Sequence, residues 1–293
     1  MDENDWLAGR FEASRSRLRA MAYRMLGSLS DAEDAVQDAW LHAAGADPGA
    51  VDNLEGWFTT IVARVCLDRL RSRKSRREEP LGAEESLDAE EAVVAGPEQE
   101  AVLADSVGLA LLVVLDTLAP AERVAFVLHD TFGLPFGEIA AITGRSPAAA
   151  RQLASRARRR VRGTAPVAGI RLARQREVAE AFLAASRGGD LGALLAVLDP
   201  EVVLHADAAS VPTGVPMTIR GAAAVARGAR AASGRSRYSG VALVNGTPGI
   251  VMAPGGRLTV VLAFTIDDAK ISRIDVIADP ARLEELDLAV LDY

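Results

Sequence analysis

The sequence predicts a multidomain chain: two all-α domains, the second carrying a helix-turn-helix, followed by an α+β domain. Three observations carry this expectation. Helical periodicity dominates to about Arg187. The stretch Gly144–Val161, GRSPAAARQLASRARRRV, has the make-up of a DNA-recognition helix behind a tight turn. Beyond the Gly/Pro-containing joint at 163–169, alternating β patterns take over. At 293 residues the chain is also longer than one ordinary domain.

Trp6, Phe11, Leu18, Met21, Ala22, Met25 and Leu26 mark a first helix. Ser30 is the expected cap of a second, Asp31–Ala44, whose early acids Asp31, Glu33 and Asp34 suit the positive end of the helix dipole. A loop, GADPGAVDN, leads to a long helix opening at Asn53 or Leu54 and reaching roughly Arg73. Residues 78–104 form an acidic linker punctuated by Pro80, Gly82, Gly96 and Pro97. Helices are then expected over about 104–118 and 120–131, with a shorter amphipathic helix over 135–142. Gly144 supplies the turn, Ser146 caps the next helix, and Pro147 takes its first position, where a missing N–H costs nothing. Ala150, Leu153, Ala154, Ala157 and Val161 make its apolar stripe, and the remaining surface is almost entirely arginine, glutamine and serine.

In the last part, helices over 172–186, 191–198 and 222–232 accompany strands over 202–205, 217–220, 239–244, 250–253, 258–266 and 271–278. Helices packed on an antiparallel sheet of about 120 residues make an α+β domain. The acidic, apolar tail 283–293 reads either as a contact element or as a frayed end.

A hydrophobic fraction of 49 % supports real cores, and the sequence has no 18-residue apolar run that would span a membrane. The N-terminus, MDENDWLAGR, lacks the features of a secretory signal, and the single Cys66 sits in a helical pattern where it reads as a small buried residue; a cytoplasmic protein is expected. The net charge of −7 hides a strong segregation. No acid falls between Glu138 and Glu177, and no Lys or Arg between Glu78 and Glu122. The acidic run repels free DNA, so a protein that meets DNA alongside a larger partner fits better than one that binds alone. His42, His129 and His205 are scattered over separate elements, so no metal site is expected, and without a phosphate-binding glycine motif no cofactor is expected either.

SDAEDAVQDAW (30–40), LEGWFTTIVARVCLDRLRS (54–72) and LDTLAPAERVAFVLHDTFGLPFGEIAAITGRSPAAARQLASRARRRV (115–161) together resemble the extracytoplasmic-function sigma factors, the small promoter-specificity subunits of bacterial RNA polymerase. AFLAASRGGDLGALLAVLDPEVVLHAD, the IRG entry to a helix, ALVNGTPG and IDVIADPARLEEL resemble the SnoaL-like cone domain fused to one subgroup of them. That resemblance implies sigma region 2 over 1–77, the linker over 78–104, sigma region 4 over 105–165 and a SnoaL-like regulatory domain over 170–293. Two departures stand out. The subgroup's Trp-Leu-Pro-Glu-Pro linker motif is reduced here to EEPLG, and its Asp-Gly-Gly-Gly-Lys turn is replaced by DAASVPTG, so the regulatory contacts differ from the subgroup's.

By the same resemblance, Asp31, Asp34, Gln37, Asp38 and Trp40 dock on the clamp helices of the polymerase core, and region 4 meets its flap. Asn53, within the 43–53 loop that captures a flipped −10 base, joins Trp57, Arg64, Arg69, Arg73 and Lys74 in −10 binding; Trp57 reads equally as core. Arg145, Ser146, Arg151, Gln152, Ser155, Arg156 and Arg159 bind the −35 duplex. Of these, Arg151, Gln152 and Arg156 suit base edges, whereas Arg145 and Ser146 suit phosphates. The linker would run through polymerase toward the RNA exit path.

His205 and Asp207 alternate onto one strand face, and Asp275 lies on another strand, so the three are candidate pocket residues. The fold hosts enzymes, ligand sensors and non-catalytic regulatory surfaces alike, and the sequence favours the last, with no catalytic residues expected and a small-molecule ligand left open. A one-component DNA-binding regulator with a ligand-sensing C-terminal domain is the competing reading. The region-2 pattern argues against it.

Overall fold

A computed structural model describes residues 3–46, 51–78, 108–163 and 170–290. The greater part of the acidic linker, the centre of the 43–53 loop, the 164–169 joint and the last three residues lie outside the described residues. The chain forms two compact units.

The first unit begins with α1 (Glu3–Leu26), α2 (Leu29–Ala44) and α3 (Leu54–Glu78). The apolar stripe Ala32, Ala35, Val36, Ala39 and Ala43 buries one face of α2 against Leu7, Phe11, Leu18, Met21 and Met25 of α1 and Phe58, Val62, Ala63 and Cys66 of α3. Phe11 is central, with ring centroids 5.2 Å from Trp40 and 5.0 Å from Phe58. The cap of α2 is Ser28, whose hydroxyl accepts from the Asp31 N–H, and not Ser30. Leu29 is fully buried, so the helix starts early enough to carry it into the core, and Ser30 instead bonds the Ser28 hydroxyl.

The same unit continues in α5 (Pro120–Phe126), which widens into a π-helical turn over Val127–Thr131, then α6 (Phe136–Thr143) and the greater part of α7 (Pro147–Arg162). Gly144 closes α6 in the left-handed region, at φ 68°, which glycine adopts without strain. Ser146 caps α7 by accepting from the Ala149 N–H at 3.2 Å, as the sequence predicts. Helix α3 packs on α5 and α6; Arg64 of α3 donates to the Ala141 carbonyl of α6 at 3.3 Å.

The second unit holds α4 (Leu109–Asp116), which the sequence assigns to the helix-turn-helix domain, together with the chain from Arg159 onward. It contains α8 (Ile170–Gly188), α9 (Leu191–Val197), β1 (Leu198–Ala206), β2 (Met217–Arg220), α10 (Ala222–Ala231), β3 (Ser239–Val244), β4 (Thr247–Met252), β5 (Val260–Asp267), β6 (Lys270–Ile277), α11 (Pro280–Glu284) and β7 (Leu288–Ala289). One sheet of order β2-β1-β6-β5-β4-β3-β7 runs antiparallel except where β1 meets β6. One sheet face, through Val202, Ile250, Phe264, Ile271 and Ile274, packs on Val178, Phe182, Leu183 and Leu194 of the helices α8 and α9.

Helix α4, LALLVVLD, is apolar all round and buried over residues 109–115. It packs against β3 and β7. Gly240 of β3 permits the approach, since a Cβ there would stand 3.2 Å from Ala110 N and 3.3 Å from Leu109 Cβ. The tail is not frayed over its described part. Its strand β7 extends the sheet along β3, and Val290 N donates to Val161 O at 2.8 Å at the end of α7. Among the described residues, no helix is long and apolar enough to cross a membrane.

Candidate nucleic-acid interface

Ala150, Leu153, Ala154, Ala157 and Val161 are buried, which rotates the other face of α7 outward. Arg145, Ser146, Arg151, Gln152, Ser155, Arg156 and Arg159 are all exposed. Arg151 and Ser155, and Gln152 and Arg156, are four residues apart and so share a helix face. The side chains are held from below. Glu122, at the start of α5, accepts from Arg156 Nε at 2.6 Å, and its own side chain is only 12 % exposed. Asp130, in the widened turn, binds Arg158 at 2.7 Å. The Arg151 guanidinium lies 5.3 Å from the Phe136 ring centroid. Phe136 is itself stacked on His129, centroids 4.0 Å apart, and His129 Nδ1 bonds the Leu134 carbonyl. The sequence reading did not single out Glu122, Asp130 or Phe136, because they stand 34, 28 and 15 positions from the arginines they touch.

In the α1–α3 bundle, the candidate polymerase-binding acids meet the candidate DNA-binding arginines. Arg69 Nη2 bonds Asp38 at 2.5 Å and Nη1 approaches Asp34 at 4.0 Å, while Arg73 is paired with Asp31. Asp34 keeps 66 % of its side chain exposed. Gln37 is exposed beside a groove of about 250 Å³ lined by Ala8, Phe11, Glu12, Arg15, Val36 and Trp40. Asn53 spends its side-chain carbonyl on the Gly56 N–H at 3.0 Å, which starts α3. Trp57 is half-buried with its ring 5.5 Å from Phe58, and Arg64 and Lys74 are exposed. Burial pushes the Cys66 thiol up to about 12 despite the opposing influence of Arg69, Arg123 and Arg73.

The C-terminal trio lies away from the core face of the sheet. His205 and Asp275 are paired across β1 and β6, but on the sheet face opposite Val202 and Ile274, which enter the core. The core face is filled by side chains such as Phe182 and Phe264. His205 Nδ1 bonds Thr218 at 3.1 Å, and Asp275 is forked with Arg273. Asp207 lies past the end of β1 and ties down the following turns. It accepts from Ala278 N at 2.9 Å, Asp279 N at 3.0 Å and Ser210 N at 3.0 Å. Burial raises its carboxyl, but these backbone donors outweigh that and hold it below the ordinary value of 3.8. Alternation placed residues on one face; it did not say which face is core.

An exposed, buttressed basic helix behind a glycine turn, together with a helical bundle that sets acids against a basic helix, fits a protein that binds nucleic acid. The Sigma-70 region 2 family matches residues 10–76, and the Sigma-70 region 4 family matches residues 108–161. The probable ECF RNA polymerase sigma factor SigI of Mycobacterium tuberculosis is 36 % identical over 98 % of both chains. The ECF RNA polymerase sigma factor SigJ of the same species is 39 % identical, covering 92 % of this chain and 91 % of that one. A crystal structure of SigJ aligns with 94 % of this chain and 98 % of that one, at 34 % identity and a TM-score of 0.47. The chain therefore belongs to the ECF RNA polymerase sigma factors, and its α+β C-terminal domain follows the two sigma regions. Its function is promoter-directed transcription initiation, with RNA polymerase core and promoter DNA as the partners that regions 2 and 4 imply.

Proposed function

We propose that this factor reads a −35 element through α7 in the major groove, using Arg151, Gln152, Ser155 and Arg156, with Arg145, Ser146 and Arg159 on the backbone. The carrying observation is the capped helix and the turn before it, whose seven candidate residues are all exposed away from the buried stripe. Region 2 takes the −10 strand along α3, with Trp57, Arg64, Arg69, Arg73 and Lys74, and Asn53 starts the helix beside the 43–53 loop. Asp34, Gln37 and Trp40 offer the outer contacts to the polymerase clamp helices, Asp31 and Asp38 stand behind them, and region 4 meets the flap. The factor acts in the cytoplasm. Run-off transcription tests the reading: with core polymerase the chain initiates at a specific −35/−10 promoter, and alone it binds promoter duplex weakly. Tight sequence-specific binding by the free chain would overturn it in favour of a one-component regulator.

The C-terminal domain acts in cis as an interaction surface. Supporting this, α4, the helix with which the region 4 match opens, is packed on β3 and β7. A fused domain acts at high effective concentration, so a modest interface suffices. Gly240→Leu forces a side chain into the space α4 occupies and costs about 1–3 kcal/mol as overpacking. It is expected to change transcription several-fold at equal amounts of folded protein. Unchanged transcription with α4 displaced would refute control in cis.

A further inference from the structure

We propose that Phe136 and Glu122 are positioning residues for promoter recognition, fixing Arg151 and Arg156 as pre-aimed forks on α7. The inference rests on the −35 reading above.

The geometry provides each arginine with a different support. Arg151 lies over the ring of Phe136, 5.3 Å from guanidinium carbon to centroid. The other partner of that ring is His129, stacked at 4.0 Å and anchored through Nδ1 to the Leu134 carbonyl. The ring is therefore a supported platform, placed at the start of α6 and aimed by the widened turn over Val127–Thr131. A guanidinium held over a ring by cation–π attraction spends no N–H donor on that contact, so its donors remain for a guanine O6/N7 pair. Arg156 is held edge-on instead. Its Nε donates to the Glu122 carboxylate at 2.6 Å, which leaves the Nη end as the outward fork. Glu122 is only 12 % exposed and Arg156 is 46 % exposed, so the carboxylate is the fixed member and the arginine the presented one.

Pre-aiming lowers the side-chain freedom lost on binding, which raises discrimination between bases. Glu122 has a second effect. Its negative charge offsets attraction between Arg156 and any phosphate, so the pair exchanges general affinity for selectivity. A merely structural glutamate would not show that exchange.

The experiment uses the full chain with core polymerase on a promoter library randomised across the −35 element. Each variant is compared at equal amounts of folded protein. Phe136→Leu is expected to reduce base preference at the position read by Arg151 about two- to fivefold, with Phe136→Tyr restoring it. Glu122→Gln is expected to flatten preference at the position read by Arg156 while binding to unrelated duplex holds or rises. Arg151→Ala and Arg156→Ala mark which positions those are. If the arginine variants shift preference while Phe136→Leu and Glu122→Gln lower output equally on all promoters, the positioning roles are wrong and the −35 reading stands. If neither arginine variant shifts preference, the −35 reading fails and the inference goes with it.

Discussion

The arginines of α7 and those of α3 are alike in sequence and opposite in disposition. On α7, Arg151 and Arg156 project outward, with Phe136 and Glu122 beneath them. On α3, Arg69 and Arg73 turn back to Asp38 and Asp31 of α2, and further to the carbonyls of Asp31 and Leu26. The difference lies in the partner. A ring or a single nearly buried carboxylate supports an arginine and leaves part of its fork unspent. A row of acids and carbonyls consumes it. On the proposed −35 reading the α7 arms are set for selectivity, whereas the α3 arms tie α2 and α3 together, so the −10 contact proposed for Arg69 and Arg73 requires that they be released.

The largest expected effect breaks the α7 side of this contrast. Arg151→Ala with Gln152→Ala removes two side chains proposed to read bases, each then worth about 1–3 kcal/mol of discrimination. Preference across a −35 library should collapse at two positions while thermal stability is nearly unchanged, since both side chains are exposed. Arg160→Ala, further along the exposed surface, should instead weaken DNA binding about equally for all sequences. A library in which Arg160→Ala re-orders the preferences and the double variant does not would show that the helix faces DNA the other way.

Next comes a carboxylate spent entirely inside the fold. Asp207→Ala leaves the N–H groups of Ala278 and Asp279 without their acceptor, a loss of about 1–3 kcal/mol. Promoter preference should stay as it is. The pH dependence has a definite sign. The folded carboxyl is held below 3.8. Its contribution is therefore complete above that value and fades as pH falls through the lower folded one. Denaturation midpoints of wild type and variant should differ near neutrality and converge in strong acid. A gap that widens on acidification would show that burial, and not the backbone donors, governs Asp207.

These cases also mark what was legible. The stripe Ala150, Leu153, Ala154, Ala157 and Val161 is local periodicity, and it placed the exposed face of α7 correctly. The strands β1–β6 of the C-terminal domain were legible from alternation and from turns such as Asn245–Gly246, where both residues take positive φ, but the short β7 in the tail was not. The supports were not, because Phe136 and Glu122 reach their arginines only once α5, α6 and α7 have packed. Nor was the placement of α4. An all-round apolar helix announces burial without naming its partner, and here the partner is a sheet formed some 130 residues later. His205 and Asp275 show the remaining gap, since alternation tells inside from outside only after the sheet has chosen which face to bury.

The smallest expected effect tests the α3 side of the comparison. Asp38→Asn removes the charge that Arg69 Nη2 meets at 2.5 Å, although Asp34 and the Asp31 carbonyl remain near the same guanidinium. A pair this close to the surface contributes about 0–1 kcal/mol, so the midpoint of unfolding should fall only slightly. Binding is the more telling readout. An arginine partly freed from its acid can meet a phosphate, and each added phosphate contact steepens the dependence of log K on log salt by about one. For the complex with core polymerase on a −10 strand, Asp38→Asn should therefore bind more tightly at low salt, with a steeper slope, and Arg69→Ala introduced into the same chain should cancel the gain. If Arg69→Ala leaves the steeper slope in place, another group has taken up the phosphate. If Asp38→Asn leaves the slope unchanged, Arg69 is a strut between α2 and α3 and not a DNA contact, and the two arginine faces differ in function as well as in posture.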